Sequence, residues 1–316
     1  MTKKEKFKVR HLPRLFWEAG KIWNLNNPWR LGAVVAYYAV LSLPGLLIII
    51  INVVGAIWGP EIVRGEITAE ISEAIGADAA NSLIIVMENT QKDDRTFMAT
   101  VIGIGVLIFG ATGVFYQMQI SMNEIWNVKV DPEAGFWKII KDRAMSLAFV
   151  TAISFLLIVS FVISTGLTLL SKYLSNIWEP AYVVFARIID FTFSTGILAL
   201  LFVLIFRFMP DMKIKWASVW LGGIITALLF NLGKTLLSFY FGIADPGSTY
   251  GAAGSVVLLL LWVSYSCLIL FYGAAFTRVY AERYSPKVHP EEFAMVVKEK
   301  EIIVERGSDS QDTSDD

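Results

Sequence analysis

The chain has 316 residues, of which 55% are hydrophobic and 17% are charged, and its formal net charge is -1. A soluble domain of this length carries roughly 25% charged residues, so the composition excludes an ordinary water-soluble globular protein. A single cysteine excludes an internal disulfide, and two histidines leave little material for a histidine metal site or a catalytic triad.

The N-terminal segment, residues 1–30, is basic and amphipathic. Apolar residues between positions 12 and 23 recur with helical spacing, while charged residues take other positions. The pattern predicts a short helix that either lies on the inner membrane surface, where basic side chains meet anionic lipid, or packs under the helical bundle. Asn27 and Pro28 then predict the start of the next helix.

Six long apolar windows follow, each with the roughly 20 residues that a helix needs to cross the hydrocarbon core of a membrane. The windows are Leu31–Trp58, Phe97–Met122, Ala144–Ser171, Pro180–Phe206, Trp216–Ala244 and Pro246–Thr277. Because backbone groups in lipid must be satisfied within their own segment, the windows predict helices. The predicted fold class is all-α, a polytopic membrane bundle of six transmembrane helices.

The predicted organisation has three parts. The segment 1–30 precedes a transmembrane bundle, 31–277, and a tail, 278–316, follows it. The first connection of the bundle, 59–96, is long and acidic, and its apolar spacing predicts two short amphipathic helices on the outer face. The end of the tail is rich in serine and aspartate, which predicts disorder there.

Lysine and arginine alternate between the connections. The N-terminal segment, the second connection and the fourth hold eight, four and three, whereas the first, third and fifth hold three, one and none. Connections on the cytoplasmic side of a membrane carry the excess of positive charge. The alternation therefore predicts that both termini lie in the cytoplasm.

Ionisable residues inside the apolar windows are the main functional signal. Arg187, Asp190 and Lys234 fall in the fourth and fifth windows, and the predicted topology puts all three in the outer half of the membrane. A charge at mid-helix costs about 2.5–3.5 kcal/mol on insertion scales, so it persists only when it is paired or hydrated. With their polar neighbours they predict an outward-facing pocket whose substrate-binding residues are Arg187, Asp190, Lys234, Asn231, Ser238 and Asn52.

These windows hold two cations and one anion. Either burial keeps Lys234 uncharged, or the pocket receives an anionic group. The structural alternative is an ion pair between Arg187 and Asp190, which lie three residues apart on one helix, with Lys234 extending outwards to the membrane surface. Both interpretations remain open from the sequence.

Several segments resemble the YihY/BrkB family of bacterial inner-membrane proteins. They are Ala36–Pro44 in the first window, Met122–Val128 after the second, and Tyr250–Ser255 with Leu261–Tyr265 in the last. The resemblance covers about residues 12–285 and implies six spans, a role in envelope integrity, and transport or handling of lipid-like molecules. Family members usually read Gly-Ala-Glu after the last span, where this chain has Ala275, so any role of that glutamate is in doubt.

The predicted function is that of a transporter or flippase-like handler of an anionic lipid or amphiphile in the bacterial inner membrane. The alternative is a non-transporting scaffold of envelope assembly that docks envelope proteins through residues 59–96. We expect membrane lipids as partners, no nucleic acid, no cofactor, no metal and no enzymatic activity, including the ribonuclease activity once attributed to the family. The sequence does not reveal the oligomeric state.

Overall fold

The computed structural model describes residues 7–42, 59, 65, 113–130, 155, 181–244 and 254–285 and two short strands at 289–290 and 294–296. Most of the first external connection, the third window and the end of the tail lie outside these residues. The two amphipathic helices predicted in 59–96 and the disorder predicted after 306 therefore remain predictions.

Helices dominate the described residues. A short 3-10 turn, Val9–His11, leads into α1. The helices are α1, Leu12–Leu25; α2, of which 28–42 are described; α3, of which 113–125 are described; α4, Ala181–Phe208; α5, Trp216–Ala244; and α6, Gly254–Tyr284.

Three of these helices are long and apolar enough to cross a membrane. The qualifying windows are Phe191–Phe208, Trp216–Ile243 and Val256–Tyr284. They correspond to the fourth, fifth and sixth predicted spans. Helix α6 continues past the predicted limit at residue 277 to Tyr284. Within this last part, Arg278 and Glu282 form an ion pair one turn apart, with 2.8 Å between the Arg278 Nε and the Glu282 Oε1.

The N-terminal helix packs along the bundle. Leu15 and Ala19 of α1 are fully buried. Going up the chain, Phe7 contacts Tyr284, Phe16 contacts Phe276, and the Trp23 indole donates a hydrogen bond to the Leu268 carbonyl at 3.0 Å. Helix α1 therefore runs antiparallel to the second half of α6, which favours the packed arrangement over a helix that only rests on the membrane surface.

The turn between α1 and α2 follows the predicted boundary. Asn27 has a positive φ of 47°, a conformation that asparagine tolerates better than most residues. Its carbonyl accepts hydrogen bonds from the backbone N–H groups of Arg30 and Leu31. Pro28 occupies the first helical position of α2, where its missing N–H removes no helical bond.

Small residues bring α5 and α6 into close contact. Gly222 of α5 lies against Thr277 of α6, and Gly273 of α6 lies against Thr226 of α5, so that a Cβ on either glycine would overlap the facing hydroxyl. Each threonine hydroxyl donates back to the glycine carbonyl four residues earlier, at 2.7 Å. The two helices thus share a reciprocal glycine–threonine contact, the kind of packing that stabilises helix pairs in lipid.

Helix α5 also packs against α4 through a glycine. A Cβ on Gly223 would lie 2.9 Å from the Ala199 carbonyl oxygen and 3.0 Å from the Val203 nitrogen. The backbones of α4 and α5 therefore meet directly at this level. Since the two helices are antiparallel, this contact fixes which residues face each other further along the pair.

Two pairs of short strands lie where the helices end. Strand β1, Val128–Val130, follows α3 and pairs antiparallel with β4, Ala294–Val296. Strand β2, Met212–Lys213, joins α4 to α5 and pairs antiparallel with β3, His289–Pro290. The chain after α6 is thereby attached to both connections. These strands were not predicted from the sequence, because two or three residues are too few to show an alternation of apolar and polar side chains.

The starts and ends of the helices meet at one end of the bundle, the basic end. Arg30 at the start of α2 pairs with Glu124 at the end of α3. Ser218 at the start of α5 and Ser285 after α6 share a hydrogen bond of 2.6 Å. The basic end therefore gathers the N-terminal segment, the second and fourth connections and the tail. A large buried cluster, with members from all six described helices, lies nearby.

Candidate functional site

Helix α5 carries the predicted polar face. Asn231, Lys234 and Ser238 lie on one continuous helix, and their spacing puts them on one side of it. Lys234 and Ser238 are exposed, and Asn231 is half-buried. The Thr235 hydroxyl donates to the Asn231 carbonyl at 3.0 Å, so this hydroxyl makes its hydrogen bond within its own helix.

Asn231 connects this face to α4. Its Nδ2 donates a hydrogen bond to the Thr195 hydroxyl at 3.0 Å. Thr195 is not among the predicted site residues, but the register of the two helices places it opposite Asn231. Asn231 lies eight residues after Gly223 on α5, and Thr195 lies eight residues before Val203 on the antiparallel α4.

The same register relates the depths of the predicted site residues. Eight residues beyond the Thr195–Asn231 pair, this register places position 187 of α4 level with position 239 of α5. Position 187 is therefore about five residues, or roughly 7–8 Å along the axis, from the level of Lys234. Arg187 and Asp190 belong to helix α4, but their side chains lie outside the described part, as does Asn52 altogether. Their grouping with Lys234 stays a prediction.

Lys234 is an exposed cation on an apolar helix. It lies within the membrane-spanning window Trp216–Ile243. Among the side chains that the structure describes, none forms an ion pair or a hydrogen bond with Lys234. Its neighbour Gly233 lies against the Tyr265 ring, where a Cβ would come within 3.0 Å of the Tyr265 Cε1. Helix α6 thus covers the adjacent face of α5 and leaves the Lys234 face open.

At the basic end, the segment Met122–Val128 holds several helices together. Asn123 is buried, and its Nδ2 donates to the Asp211 carboxylate at 2.7 Å, while its Oδ1 accepts from the Asp211 backbone N–H at 2.8 Å. Asp211 lies in the connection between α4 and α5 and is itself buried. One asparagine side chain therefore fixes that connection against α3.

The next residues of this segment bind other helices. Glu124 pairs with Arg30 of α2, and the Ile125 carbonyl accepts a hydrogen bond from the Arg278 guanidinium of α6. Asn127 has a positive φ of 52° and, with its amide oriented to suit its neighbours, its side-chain oxygen accepts from the same guanidinium at 3.3 Å. The segment is therefore a structural junction that joins α2, α3, α6 and the connection between α4 and α5.

The position of the family glutamate is buried in this chain. Ala275 has no exposed surface, and it lies on α6 between Gly273 and Thr277, which face α5. A carboxylate at this position would need a partner inside the core. Alanine satisfies the packing here without one.

Comparison with known proteins identifies the family to which the chain belongs. A family model described as virulence factor BrkB matches residues 24–295 of the chain. The chain belongs to the BrkB family. The match begins near the end of α1 and runs through the last described strand, so it includes every spanning helix that the structure describes.

Curated relatives in the BrkB family are membrane proteins. A UPF0761 membrane protein of Azotobacter vinelandii is 26% identical over 241 residues, covering 76% of this chain and 55% of the relative. One of Idiomarina loihiensis is 27% identical over 182 residues, covering 56% of this chain and 60% of the relative. One of Verminephrobacter eiseniae is 25% identical over 176 residues, covering 55% and 40%. The chain spans about half the length of these relatives, and no solved structure is significantly similar to it.

Proposed function

We propose that this BrkB-family membrane protein binds an anionic lipid or amphiphile through the polar face of α5 and moves it across the inner membrane. The single observation that carries the proposal is Lys234, an exposed cation on an apolar helix with no ionic partner among the described side chains. A cation in that setting costs several kcal/mol unless water or an anion accompanies it. An anionic head group supplies the missing charge.

Each residue of the predicted pocket takes a role in this proposal. Lys234 and Arg187 bind the head group, and Asp190 orients Arg187. Ser238 adds a hydrogen bond, and Asn231, which already bonds Thr195 through its Nδ2, keeps its Oδ1 free to accept one. Asn52, which the predicted topology puts near the outer end of the first span, completes the set of proposed binding residues. The sequence shows no nucleotide-binding motif, and we propose that the movement is secondary, facilitated or driven by a partner.

The proposed orientation puts the basic end in the cytoplasm. The connections that carry more lysine and arginine gather at that end, and positive charge marks the cytoplasmic side. Lys234 lies nearer the other end of α5, so its face opens towards the outside of the inner membrane. We propose no enzymatic reaction for this site, and no nucleic acid as a partner.

Lipid movement in proteoliposomes tests the proposal. The full chain is reconstituted with a fluorescent phosphatidylglycerol analogue, and the fraction that a membrane-impermeant reductant bleaches reports exchange between leaflets. We expect Lys234→Ala and Arg187→Ala each to slow this exchange at least tenfold, while Lys215→Ala, an exposed lysine at the basic end, leaves it unchanged. Equal exchange by all four proteins would refute transport through this face and leave the scaffold alternative. In that alternative, deletion of residues 59–96 alone would abolish the effect of the protein on envelope integrity.

A further inference from the structure

The side of α1 turned away from the core forms an open groove against α6. Its volume is about 600 Å³, and its lining includes Phe16, Trp17, Gly20, Lys21, Trp23 and Tyr272. None of these residues belongs to the site proposed on α5. The groove lies at the basic end, since α1 packs along the second half of α6.

Gly20 lies at the floor of the groove, facing the Tyr272 ring. A Cβ at Gly20 would lie 3.9 Å from the Tyr272 ring, so the floor of the groove is formed by backbone and ring surface. The polar atoms of two of the rings are engaged: the Tyr272 hydroxyl donates to the Phe16 carbonyl at 2.9 Å, and the Trp23 indole donates to the Leu268 carbonyl at 3.0 Å. These two rings therefore offer mainly apolar surface to an occupant.

A positive charge stands at the rim. The Lys21 ammonium lies 5.6 Å from the centre of the Trp17 ring, and the Trp17 side chain is 69% exposed. Lys21 has no carboxylate partner within the described parts of the chain. Glu18, one turn away, is engaged by Arg14 at 2.7 Å and by Arg283 at 3.2 Å, so it does not neutralise Lys21.

We infer that this groove binds one anionic phospholipid of the surrounding membrane, with an acyl chain along the rings and the phosphate at Lys21. Charge complementarity favours an anionic head group. The apolar wall favours a lipid tail, and Tyr272 lies in the window Val256–Tyr284, which is long and apolar enough to cross a membrane. Tryptophan beside a lysine is also typical of the boundary between hydrocarbon and head groups. The inference extends beyond the proposed transport, since this lipid stays bound at the other end of the bundle.

Quenching by brominated lipid tests the inference. The full chain is placed in phosphatidylcholine nanodiscs that contain increasing fractions of dibrominated phosphatidylglycerol or dibrominated phosphatidylcholine. The difference in fluorescence between the unchanged chain and the Trp17→Phe variant gives the signal of Trp17. We expect half-quenching of that signal at about a fivefold lower fraction of the anionic lipid, which corresponds to one lysine near a membrane surface.

Two variants with matched controls decide the outcome. Lys21→Ala should abolish the fivefold preference, whereas Lys215→Ala should keep it. Gly20→Leu should fill the groove and weaken quenching by both lipids, whereas Gly242→Leu, at a glycine with nothing within 4 Å of its Cβ position, should not. Equal quenching by both lipids in the unchanged chain would overturn the inference. So would disulfide-linked dimers of Trp17→Cys in high yield, because a second copy would then occupy the groove.

Discussion

At the scale of single residues, Asn123 shows what a motif can and cannot reveal. Its place in the segment Met122–Val128 carries the resemblance to the BrkB family, but its partner Asp211 lies 88 residues away. No spacing in the sequence links the two. The sequence therefore marks the residue, while only the fold shows that it holds the α4–α5 connection.

Replacing Asn123→Ala should destabilise the protein by about 1.5–3 kcal/mol, because the buried Asp211 carboxylate and the Asp211 backbone N–H both lose a hydrogen bond. Thermal unfolding of the purified chain in detergent measures the loss. Asn24→Ala, an exposed position on α1, is the control and should leave the melting temperature unchanged. Equal melting temperatures of the Asn123 variant and the unchanged chain would show that this junction contributes nothing.

Glu18 gives a prediction about pH. Burial raises the pKa of Glu18, but the hydrogen bond and charge of Arg14 and the charge of Arg283 outweigh burial and leave the pKa below its ordinary value. A carboxyl group whose pKa is lower in the folded state stabilises the fold above its unfolded pKa, near 4.3, and loses that contribution as the pH falls through the lowered value.

The unchanged chain should therefore melt higher than Glu18→Gln at pH 7, with the difference closing as the pH falls below about 4 and through the lowered pKa of Glu18. Because the three side chains are partly exposed, the effect should be less than about 1 kcal/mol. Melting temperatures of both proteins across this range measure it. A difference that is constant with pH would mean that the charge of Glu18 does not hold α1 against α6.

At the scale of elements, the sequence predicts helices well and their contacts poorly. The window Trp216–Ala244 coincides with α5, because hydropathy and length decide a span locally. Helix α6 extends beyond the apolar window to Tyr284, and Phe7 packs against Tyr280 and Tyr284 in this last part. The glycines of α5 indicate close packing, but their partners Thr277 and Val203 depend on the register of neighbouring helices.

Gly222→Ala should force α5 away from α6, because the new Cβ would overlap the Thr277 hydroxyl. We expect a loss of about 1–3 kcal/mol in the free energy of unfolding, in the range of overpacked cores. Gly242→Ala is the control, since nothing lies within 4 Å of its Cβ position, and it should be neutral or slightly stabilising. Thermal unfolding of both variants compares them, and equal melting temperatures would contradict the close contact.

At the scale of the whole molecule, two features bear on the proposed orientation of the bundle and on the position of the proposed site. The basic connections meet at one end, as the alternation of lysine and arginine predicts, and Lys234 lies towards the other end of α5. The predicted site is only partly located: Asn231 and Thr195 join α5 to α4, while the side chains of Arg187 and Asp190 lie outside the described residues. Sequence could predict the polar residues of each span, but not which of them face one another.

The most direct measurement is the reactivity of Lys234→Cys with a membrane-impermeant thiol reagent in sealed, oriented vesicles. The native Cys267 is buried and contributes little background. Leu232→Cys, an exposed position on the opposite side of α5, is the control for a lipid-facing residue, and Lys213→Cys is the control for the basic end. We predict that Lys234→Cys reacts only from the side opposite to Lys213→Cys, and that an anionic amphiphile slows the reaction. If Lys234→Cys is as unreactive as Leu232→Cys, or reacts from the same side as Lys213→Cys, the hydrated outward-facing site does not exist.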